Sequence, residues 1–403
     1  MKPWPLEKIP RLGERAVTAI VQSIAQAEMG RHGMPGFVAC PPQDFSAMRW
    51  QDFGLGPEGV ANVARQCNAM FRASLAPPNL AEECGRLPLR ILEHWGDGPV
   101  AVTFFTSGST GKPKPCTHPE SHLRQEITSL APLVENCTSA LVTAPLHHMY
   151  GFTFGLLLPL SLGIPVRCVP PLPTLAQAQM KPGDMVVGIP LLWSRLADLR
   201  GWKERASEEG RGVTALTATA PMPPDVAHAL LRQGFRVIEF FGSSEVGVVC
   251  HRFHPDDPFE LLPHISRGKG PHADMLERCL PEGECRLYPV QDVITWLDER
   301  RLLPCGRIDA AVQVGGVNVY PGHVAAILEE HEGVRCCQVR LMRPEEGHRL
   351  KAFVVPAMGW TVDALREPLA AHVRQRLKGP ERPTSFAFGE DIPRGPVGKP
   401  TDW

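Results

Sequence analysis

A run of hydroxyl, glycine and lysine residues directly follows an apolar segment in the first third of the chain. The run is Thr106-Ser107-Gly108-Ser109-Thr110-Gly111-Lys112-Pro113-Lys114, and the preceding segment, Val100–Phe105, has the pattern of a buried strand. Glycines permit positive φ and let backbone N–H groups approach an anion, while hydroxyls and lysines add donors and positive charge. The segment therefore predicts a loop that holds a nucleotide polyphosphate at the end of a strand.

This segment does not fit the Walker type of phosphate loop. That pattern has four residues between its first glycine and a Gly-Lys pair, with Ser or Thr next. Here Gly108 and Gly111 are three positions apart, and Pro113 follows Lys112. We therefore do not expect a kinase-type or motor-type ATPase. A polar surface loop without function is the simpler alternative, and it is typical of shorter clusters.

Short β-rich runs alternate with helix-length segments after this point. They include Ala140–Thr143, Met185–Ile189 and Arg236–Phe241, the last of which is expected to enter a turn at Gly242-Ser243-Ser244. This alternation predicts a layered α/β domain. The 403 residues exceed the roughly 250–300 at which a single core stops growing, so we expect two structural units.

The tail has a different order of elements, which predicts a small α+β domain. We assign residues 1–308 to a large α/β core domain and residues 309–403 to this smaller lid. Residues 1 to about 95 carry helical patterns but no recognisable chemistry. The tail elements are a strand near Ala311–Val314, a helix over Pro321–His331, strands at Cys337–Met342 and Ala352–Val355, and a helix over Val362–Leu377.

Composition argues against several classes of protein. The formal net charge of -1 provides no long-range field toward nucleic acid or an anionic membrane. The N-terminus lacks the pattern of a signal peptide, and no stretch reaches about 18 uncharged apolar residues. We therefore expect a cytoplasmic protein with no nucleic-acid or membrane partner. The 12 cysteines are scattered without a CxxC pair, which favours reduced and mostly buried thiols.

The segment Thr106–Lys114 resembles the phosphate loop of the adenylate-forming superfamily. That superfamily includes acyl-CoA and aryl-CoA synthetases, nonribosomal peptide adenylation domains and firefly luciferase. Further motifs of the family follow in the family order from about residue 100 to residue 403. The resemblance implies ATP and Mg²⁺ as cofactors and a mobile lid. It also implies activation of a carboxylic acid as acyl-AMP, with release of pyrophosphate and transfer to the thiol of CoA.

The same resemblance implies a set of nucleotide-binding residues. Phe240–Gly247 is similar to the family's aromatic-Gly-x-Thr-Glu motif, in which Phe241 would stack near adenine, Ser244 would bond phosphate and Glu245 would hold Mg²⁺. In the adenine-side loop, Ala218 and Thr219 replace the usual pair of glycines. The implied ATP- or AMP-binding residues are Thr106, Ser107, Gly108, Ser109, Thr110, Gly111, Ala218, Thr219, Ala220, Pro221, Phe241, Gly242, Ser243, Ser244, and the ribose contacts Asp292 and Arg307.

Three charged residues are implied to be catalytic. Pro393–Lys399 resembles the last family motif, in which the lysine, here Lys399, bridges the substrate carboxylate and the α-phosphate. Lys114 would hold the departing phosphates, and Glu245 would act through Mg²⁺. Cys305–Asp309 resembles the family hinge, with Asp309 as the pivot.

The remaining implied residues surround the acyl group and the thiol. His148, Gly151, Phe240 and Gly247 would line the acyl pocket. Gly315 and Gly316 would border the thiol tunnel, and they also suit a hairpin turn.

The match is closest to the aryl-CoA ligase branch, which favours a benzoate-like or cinnamate-like acid over a long fatty acid. Two other acceptors stay open, namely the phosphopantetheine of an acyl carrier protein and an amine or other nucleophile. A non-catalytic nucleotide-binding regulator is the alternative from another class. A monomer or a homodimer is equally open.

Overall fold

The computed structural model describes residues 3–31, 42–106, 114–197, 212–308, 311–343, 345–393 and 403. These residues form two compact units. The first contains the described parts of 1–105, 115–290 and 295–303, and the second contains those of 106–114, 291–294 and 304–403. The chain thus passes between the units more than once, and a single boundary between residues 308 and 309 stays a prediction.

The first unit begins with helices, as the sequence pattern predicts. They are α1 (Glu14–Arg31), α2 (Pro42–Ala47), α3 (Pro57–Phe71) and α4 (Arg86–Trp95). Proline at the first turn of α3 suits a position whose N–H has no intrahelical partner. The helix ends where Arg72 adopts a left-handed conformation and its N–H bonds to Asn68 O.

A nine-stranded sheet forms the centre of the α/β architecture. Its strand order is β13-β14-β9-β8-β7-β6-β5-β3-β4, and β1 pairs with β2 in a separate ribbon. Strands β4, β3, β5, β6 and β7 run parallel, whereas β8 is antiparallel to both β7 and β9. The bounds are β1 Ala101–Thr106, β2 Lys114–Pro119, β3 Ser139–Val142, β4 Val166–Cys168, β5 Asp184–Gly188, β6 Thr214–Thr217, β7 Arg236–Ser243, β8 Gly247–Arg252, β9 Phe259–Leu261, β13 Asp292–Trp296 and β14 Arg301–Arg307.

Helices connect the parallel strands, and a smaller antiparallel sheet completes the first unit. A π-helical segment, Thr153–Leu157, joins α6 to α7. The small sheet has the order β10-β11-β12. The bounds are α5 Glu120–Leu130, α6 Met149–Phe152, α7 Leu158–Leu162, α8 Pro173–Gln179, α9 Pro190–Ala197, α10 Pro224–Arg232, β10 Ile265–Arg267, β11 Met275–Cys279 and β12 Cys285–Pro289.

The second unit contains the α+β elements that the tail pattern predicts. The hairpin β15 (Val312–Val314) and β16 (Val317–Val319) precedes α11 (Pro321–Glu329). Strands β17 (Val334–Leu341), β18 (Leu350–Pro356) and β19 (Ser385–Phe388) form one sheet, and α12 covers Val362–Arg376. Val324, Leu328, Leu365 and Leu369 belong to a core shared by the two helices and these strands.

The described cysteines are free thiols, as expected. Cys67, Cys84, Cys116, Cys137, Cys250 and Cys337 are buried, whereas Cys168, Cys279, Cys285 and Cys305 are exposed. Among the described helices, none combines the length and the apolar character needed to cross a lipid bilayer.

Candidate active site

The parallel strands bring several predicted site residues to one edge of the sheet. Because β3, β5, β6 and β7 run in the same direction, the loops that follow them leave from the same edge. His148 follows β3, Ala218–Pro221 follow β6, and Ser244 and Glu245 follow β7. In open α/β sheets, ligands bind beyond the carboxyl ends of the strands. The fold thus collects at this edge the three motifs that were predicted to contact adenine, phosphate and the acyl group.

A partly buried tyrosine helps to hold this edge together. The Tyr150 hydroxyl lies 2.8 Å from Gly188 O and 2.9 Å from Leu216 O, which are the carbonyls of neighbouring strands. Burial raises the pKa of Tyr150 well above its usual value, so its hydroxyl stays protonated and can donate.

The backbone of the adenine-side loop has, at Thr219, the conformation that the family's usual glycine would readily adopt. Thr219 has φ 75°, a conformation that β-branched residues rarely adopt. Its Oγ1 is buried and has no hydrogen-bond partner among the described residues. The sequence departs from the family here in side chain, while the backbone keeps a glycine-like turn.

An acidic residue that sequence analysis missed anchors the end of this loop. Met222 N–H donates to Glu239 Oε1 at 2.9 Å, and Arg252 Nε donates to Glu239 Oε2 at 2.7 Å. Glu239 lies on β7 and is only 5% exposed, so its charge is compensated by Arg252 inside the protein. Its position before two phenylalanines in a strand gave no signal of this role.

The turn after β7 begins later than the sequence suggested. The prediction that the turn starts at Gly242 is wrong. Gly242 pairs with Val248 and Ser243 pairs with Gly247, so both residues still belong to β7. A Cβ on Gly242 would lie 2.3 Å from Gly247 O, so glycine permits this close pairing. Ser243 Oγ then accepts from Val246 N–H at 3.3 Å and closes the turn that carries Ser244 and Glu245.

A histidine joins this turn to the strand that follows the phosphate-loop segment. His118 lies on β2, and its Nε2 donates to Ser244 O at 2.7 Å. Burial lowers the pKa of His118 to about 4, so the imidazole is neutral at pH 7 and carries the proton on Nε2. His118 lies four positions beyond Lys114, the last residue of the motif, and no sequence signal marked it.

A buried ion pair supports the other end of the same turn. Glu126 Oε2 accepts from Val248 N–H at 3.0 Å and lies 3.9 Å from Arg278 NH1. Arg278 also donates to the carbonyl of Val246 and, at 2.8 Å, to His122 O. Gly247 has φ 97°, and a Cβ there would lie 2.1 Å from Glu126 Oε2. Gly247 therefore has a packing role that does not depend on any acyl group.

Burial dominates the titration of Glu126. Desolvation raises the pKa of Glu126 to about 7, although Arg278 and the Val248 N–H oppose the shift. Glu126 and Arg278 are both about 1% exposed, and they come from α5 and β11. Two residues so far apart in the chain offer no local sequence signal for such a contact.

Aromatic rings and neutral histidines occupy the acyl side. Phe240 is 4% exposed, and its ring centroid lies 4.5 Å from that of Phe154. His147 and His148 have ring centroids 4.4 Å apart. Surrounding protein atoms lower the pKa of His148, and the Arg31 charge adds to the effect, although the residue keeps an exposed surface. Both imidazoles are thus neutral near pH 7.

The helices at the start of the chain contribute to this side. Ser23 on α1 has its Oγ 2.9 Å from His147 Nδ1, and the same Oγ accepts from Leu146 N–H at 3.0 Å. Gly151 packs so closely that a Cβ would lie 2.1 Å from Pro145 O. The first hundred residues therefore position the histidine segment, a role that their sequence did not indicate.

The two predicted ribose contacts lie together in the second unit. Asp292 begins β13 and Arg307 ends β14, and Arg307 NH1 lies 3.5 Å from Asp292 Oδ2. Both side chains are largely but not fully buried, at 14% and 20% exposed. A carboxylate beside a guanidinium offers both an acceptor and donors to a vicinal diol.

The remaining predicted residues differ in how far the structure describes them. Gly315 and Gly316 form the turn of the β15–β16 hairpin, with φ 59° and 80°, as the sequence predicted. Thr106 ends β1, Lys114 begins β2 and is exposed, and Phe241 lies 6.4 Å from Phe259 between ring centroids. Ser107, Gly108, Ser109, Thr110, Gly111, Asp309 and Lys399 lie outside the described residues.

The Glu245 carboxylate is chemically suited to Mg²⁺. It is half-buried in the turn between β7 and β8, and hard divalent cations prefer carboxylate oxygens.

Comparison with known proteins identifies the family. Residues 78–274 match the family model described as AMP-binding enzyme, and residues 323–399 match AMP-binding enzyme C-terminal domain. A 4-coumarate–CoA ligase of Halorhodospira halophila is 36% identical over 300 residues, which is 74% of this chain and 74% of that enzyme. A 4-coumarate–CoA ligase of Rhodobacter capsulatus is 36% identical over 327 residues, with 78% and 79% covered.

A solved structure supports the same fold. The amide bond synthetase McbA of Marinactinospora thermotolerans superposes with a TM-score of 0.64 at 22% identity, covering 85% of this chain and 77% of that one. With these relatives and the motifs gathered at the carboxyl edge of the sheet, the chain belongs to the adenylate-forming superfamily of AMP-binding enzymes, as an AMP-forming acid–thiol ligase.

Proposed function

We propose that this enzyme activates an aromatic carboxylic acid as acyl-AMP, with release of pyrophosphate, and then transfers the acyl group to the thiol of CoA. The observation that carries the proposal is the convergence of His148, the loop Ala218–Pro221 and the turn Ser244–Glu245 at one edge of the parallel sheet. One edge can then hold an acid and a nucleotide side by side, as in-line attack on the α-phosphorus requires.

In the first half-reaction, a substrate carboxylate oxygen attacks the α-phosphorus and pyrophosphate leaves. Ser244 and the hydroxyls of Thr106–Thr110 would donate to phosphate oxygens, and Lys114 would stabilise the departing charge. Glu245 would hold Mg²⁺, which supplies positive charge to the phosphate oxygens when bound. Asp292 and Arg307 would bind the ribose hydroxyls. Lys399 would bridge the carboxylate and the α-phosphate, as the resemblance implies.

The acyl side favours an aromatic, uncharged tail. The rings of Phe240 and Phe154 pack against each other at a tilt of 41°, and neither His147 nor His148 is charged near pH 7. Aromatic groups gain from burial and from edge or offset contacts with such rings. The relatives named 4-coumarate–CoA ligase support the same class of acid.

In the second half-reaction, the CoA thiol attacks the acyl carbonyl and AMP leaves. Movement of the C-terminal domain about Asp309 would withdraw Lys399 and bring Gly315 and Gly316 beside the thiol. The hairpin turn at these two glycines leaves no side chains to obstruct a narrow pantetheine chain.

Pyrophosphate exchange into ATP tests the first half-reaction directly. The full chain is incubated with Mg²⁺ and a panel of aryl, short-chain, fatty and amino acids, without CoA. Exchange with aryl acids alone is the expected result, followed by thioester formation once CoA is added. Exchange with fatty acids alone would reject the aromatic assignment. Thioester formation only with an acyl carrier protein, or product only with an amine, would reject CoA as acceptor.

Two variants separate the half-reactions. Lys399→Ala should abolish acyl-AMP formation while largely sparing thioester formation from supplied acyl-AMP. Asp309→Pro should spare pyrophosphate release and block the thiol step. Equal loss of both steps in Lys399→Ala, or unimpaired thioester turnover in Asp309→Pro, would contradict these roles.

A further inference from the structure

Two histidines and an aspartate outside the ligase motifs come together on the first unit. His228 lies on α10, whereas His254 and Asp256 lie in the segment after β8. His228 Nε2 is 3.4 Å from Asp256 Oδ1, and His254 Nδ1 is 3.5 Å from Asp256 Oδ2. One ligand atom from each of the three residues lies within 4.8 Å of the others.

These distances suit shared coordination of one ion. Zinc bonds to imidazole nitrogen and carboxylate oxygen are about 2.0–2.2 Å long, so neighbouring ligands of a tetrahedral zinc lie about 3.4 Å apart. Each imidazole nitrogen lies at about that separation from one oxygen of Asp256, which is Oδ1 for His228 and Oδ2 for His254. The imidazoles are 34% and 43% exposed, and Asp256 is 66% exposed, so a metal ion has access and water can complete its coordination.

Hydrogen bonds from the Arg252 side chain to backbone carbonyls hold the segment that carries two of the ligands. Arg252 NH1 donates to Pro255 O at 2.6 Å and to Asp257 O at 3.3 Å. Asp256 N–H donates to His254 Nδ1 at 3.3 Å, so this nitrogen carries no proton in that contact, and a bound ion would take the lone pair from this long hydrogen bond. Little ordering of this segment would therefore oppose binding.

We propose that His228, His254 and Asp256 form a binding site for a divalent first-row transition ion, with Zn²⁺ as the best match. Two imidazoles with one carboxylate favour zinc, nickel or copper, whereas Mg²⁺ prefers oxygen ligands. The site is therefore separate from the Mg²⁺ used with ATP, and it does not depend on the proposed substrate.

The ion would cross-link α10, which follows the adenine-side loop, to the segment after β8. Helix α10 begins at Pro224, two positions after Met222, and Met222 is held by Glu239. Glu239 is held in turn by Arg252, which also braces the metal-binding segment. Coordination would join α10 to that segment, so bound metal should stabilise the folded protein by mass action.

Equilibrium dialysis of the full chain, without a polyhistidine tag and after removal of metals by a chelator, tests the proposal. Wild type, His228→Gln and Asp256→Asn are dialysed against micromolar Zn²⁺. His272→Gln serves as the control, since His272 is an exposed histidine elsewhere. A Cys279→Ser/Cys285→Ser variant removes the other cluster with metal-ligating groups, which contains Glu277.

We expect one Zn²⁺ per wild-type chain, with affinity at least about tenfold weaker in His228→Gln and Asp256→Asn. Both control variants should keep the wild-type affinity, and Zn²⁺ should raise the Tm of wild type but not of His228→Gln. Bound Co²⁺ should show no thiolate charge-transfer band. Absence of this Zn²⁺, its retention in both ligand variants, or its loss in the cysteine variant would overturn the proposal and leave only a His–Asp ion pair.

Discussion

His118 Nε2 donates a hydrogen bond of 2.7 Å to the carbonyl of Ser244. This contact joins β2, which follows the phosphate-loop segment, to the turn that carries Ser244 and Glu245. His118 is 4% exposed, so little water reaches its imidazole. The position of the turn therefore depends on a residue that no recognised motif contains.

Replacing His118 tests this dependence. His118→Phe removes the donor and leaves the Ser244 carbonyl unpaired, which should cost about 1–3 kcal/mol of unfolding free energy. It should also raise the KM for ATP in pyrophosphate exchange. His118→Gln offers an amide donor at a similar reach and should retain most of both properties. Equal behaviour of the two variants would show that the hydrogen bond does not position the turn.

His118 should also make stability depend on pH. Its pKa falls from 6.5 to about 4 on folding, so the unfolded chain binds more protons between these values. Its contribution is therefore fully present above pH 6.5 and is lost as the pH falls toward 4. The stability of wild type relative to His118→Gln should fall by about 2 kcal/mol between pH 7 and pH 5, because only wild type carries this histidine. Urea unfolding measures this difference, and the exposed His272→Gln should show no such trend.

Alanine substitutions at Gly247 and Gly283 distinguish the cost of a steric clash from the cost of backbone strain. Both have positive φ, at 97° and 93°, but a Cβ on Gly247 meets Glu126 whereas one on Gly283 meets nothing within 4 Å. Gly283→Ala should cost about 1–2 kcal/mol, the strain of the left-handed region. Gly247→Ala should cost roughly 3–5 kcal/mol, because it also disturbs the buried Glu126–Arg278 pair. Similar losses in chemical denaturation would show that the ion pair adjusts without penalty.

Thr219 should tolerate loss of its hydroxyl in the free enzyme. Since Oγ1 is buried without a partner among the described residues, Thr219→Val should leave the unfolding free energy unchanged or raise it by up to about 1 kcal/mol. Thr219→Gly should relieve strain at φ 75° but lose about 1 kcal/mol to chain entropy, so its net change should be small. A loss above about 1 kcal/mol in Thr219→Val would reveal a partner for the hydroxyl.

Replacing Asp292 tests the proposed contact between the Asp292–Arg307 pair and the ribose of ATP. On its proposed role, Asp292→Asn should raise the KM for ATP by at least about tenfold, because a charged acceptor for the diol is lost. The penalty for deoxy analogues of ATP should shrink in the same variant, since they already lack a partner hydroxyl. Initial rates of exchange with ATP and its deoxy analogues measure both effects. An unchanged preference for ATP in Asp292→Asn would contradict a contact to the ribose.

The sequence by itself determined the elements whose signals are local. Hydrophobic runs and turn residues specified the strands β3, β5 and β7, the helix α12 and the Gly315-Gly316 hairpin, because these depend on neighbouring residues. The order of the motifs from Thr106 to Lys399 was enough to indicate the family, since nucleotide-binding loops are short and continuous.

The tertiary structure alone decided which residues support those motifs. Glu126 and Arg278, which form the buried ion pair, lie 152 positions apart in the sequence. His118 and Ser244 lie 126 positions apart. Such contacts arise only in the folded chain, where α5 meets β11 and β2 meets the turn after β7, and no spacing in the chain encodes them. The late start of the turn after β7 has the same origin, because pairing with β8 extends the strand beyond its local turn signal.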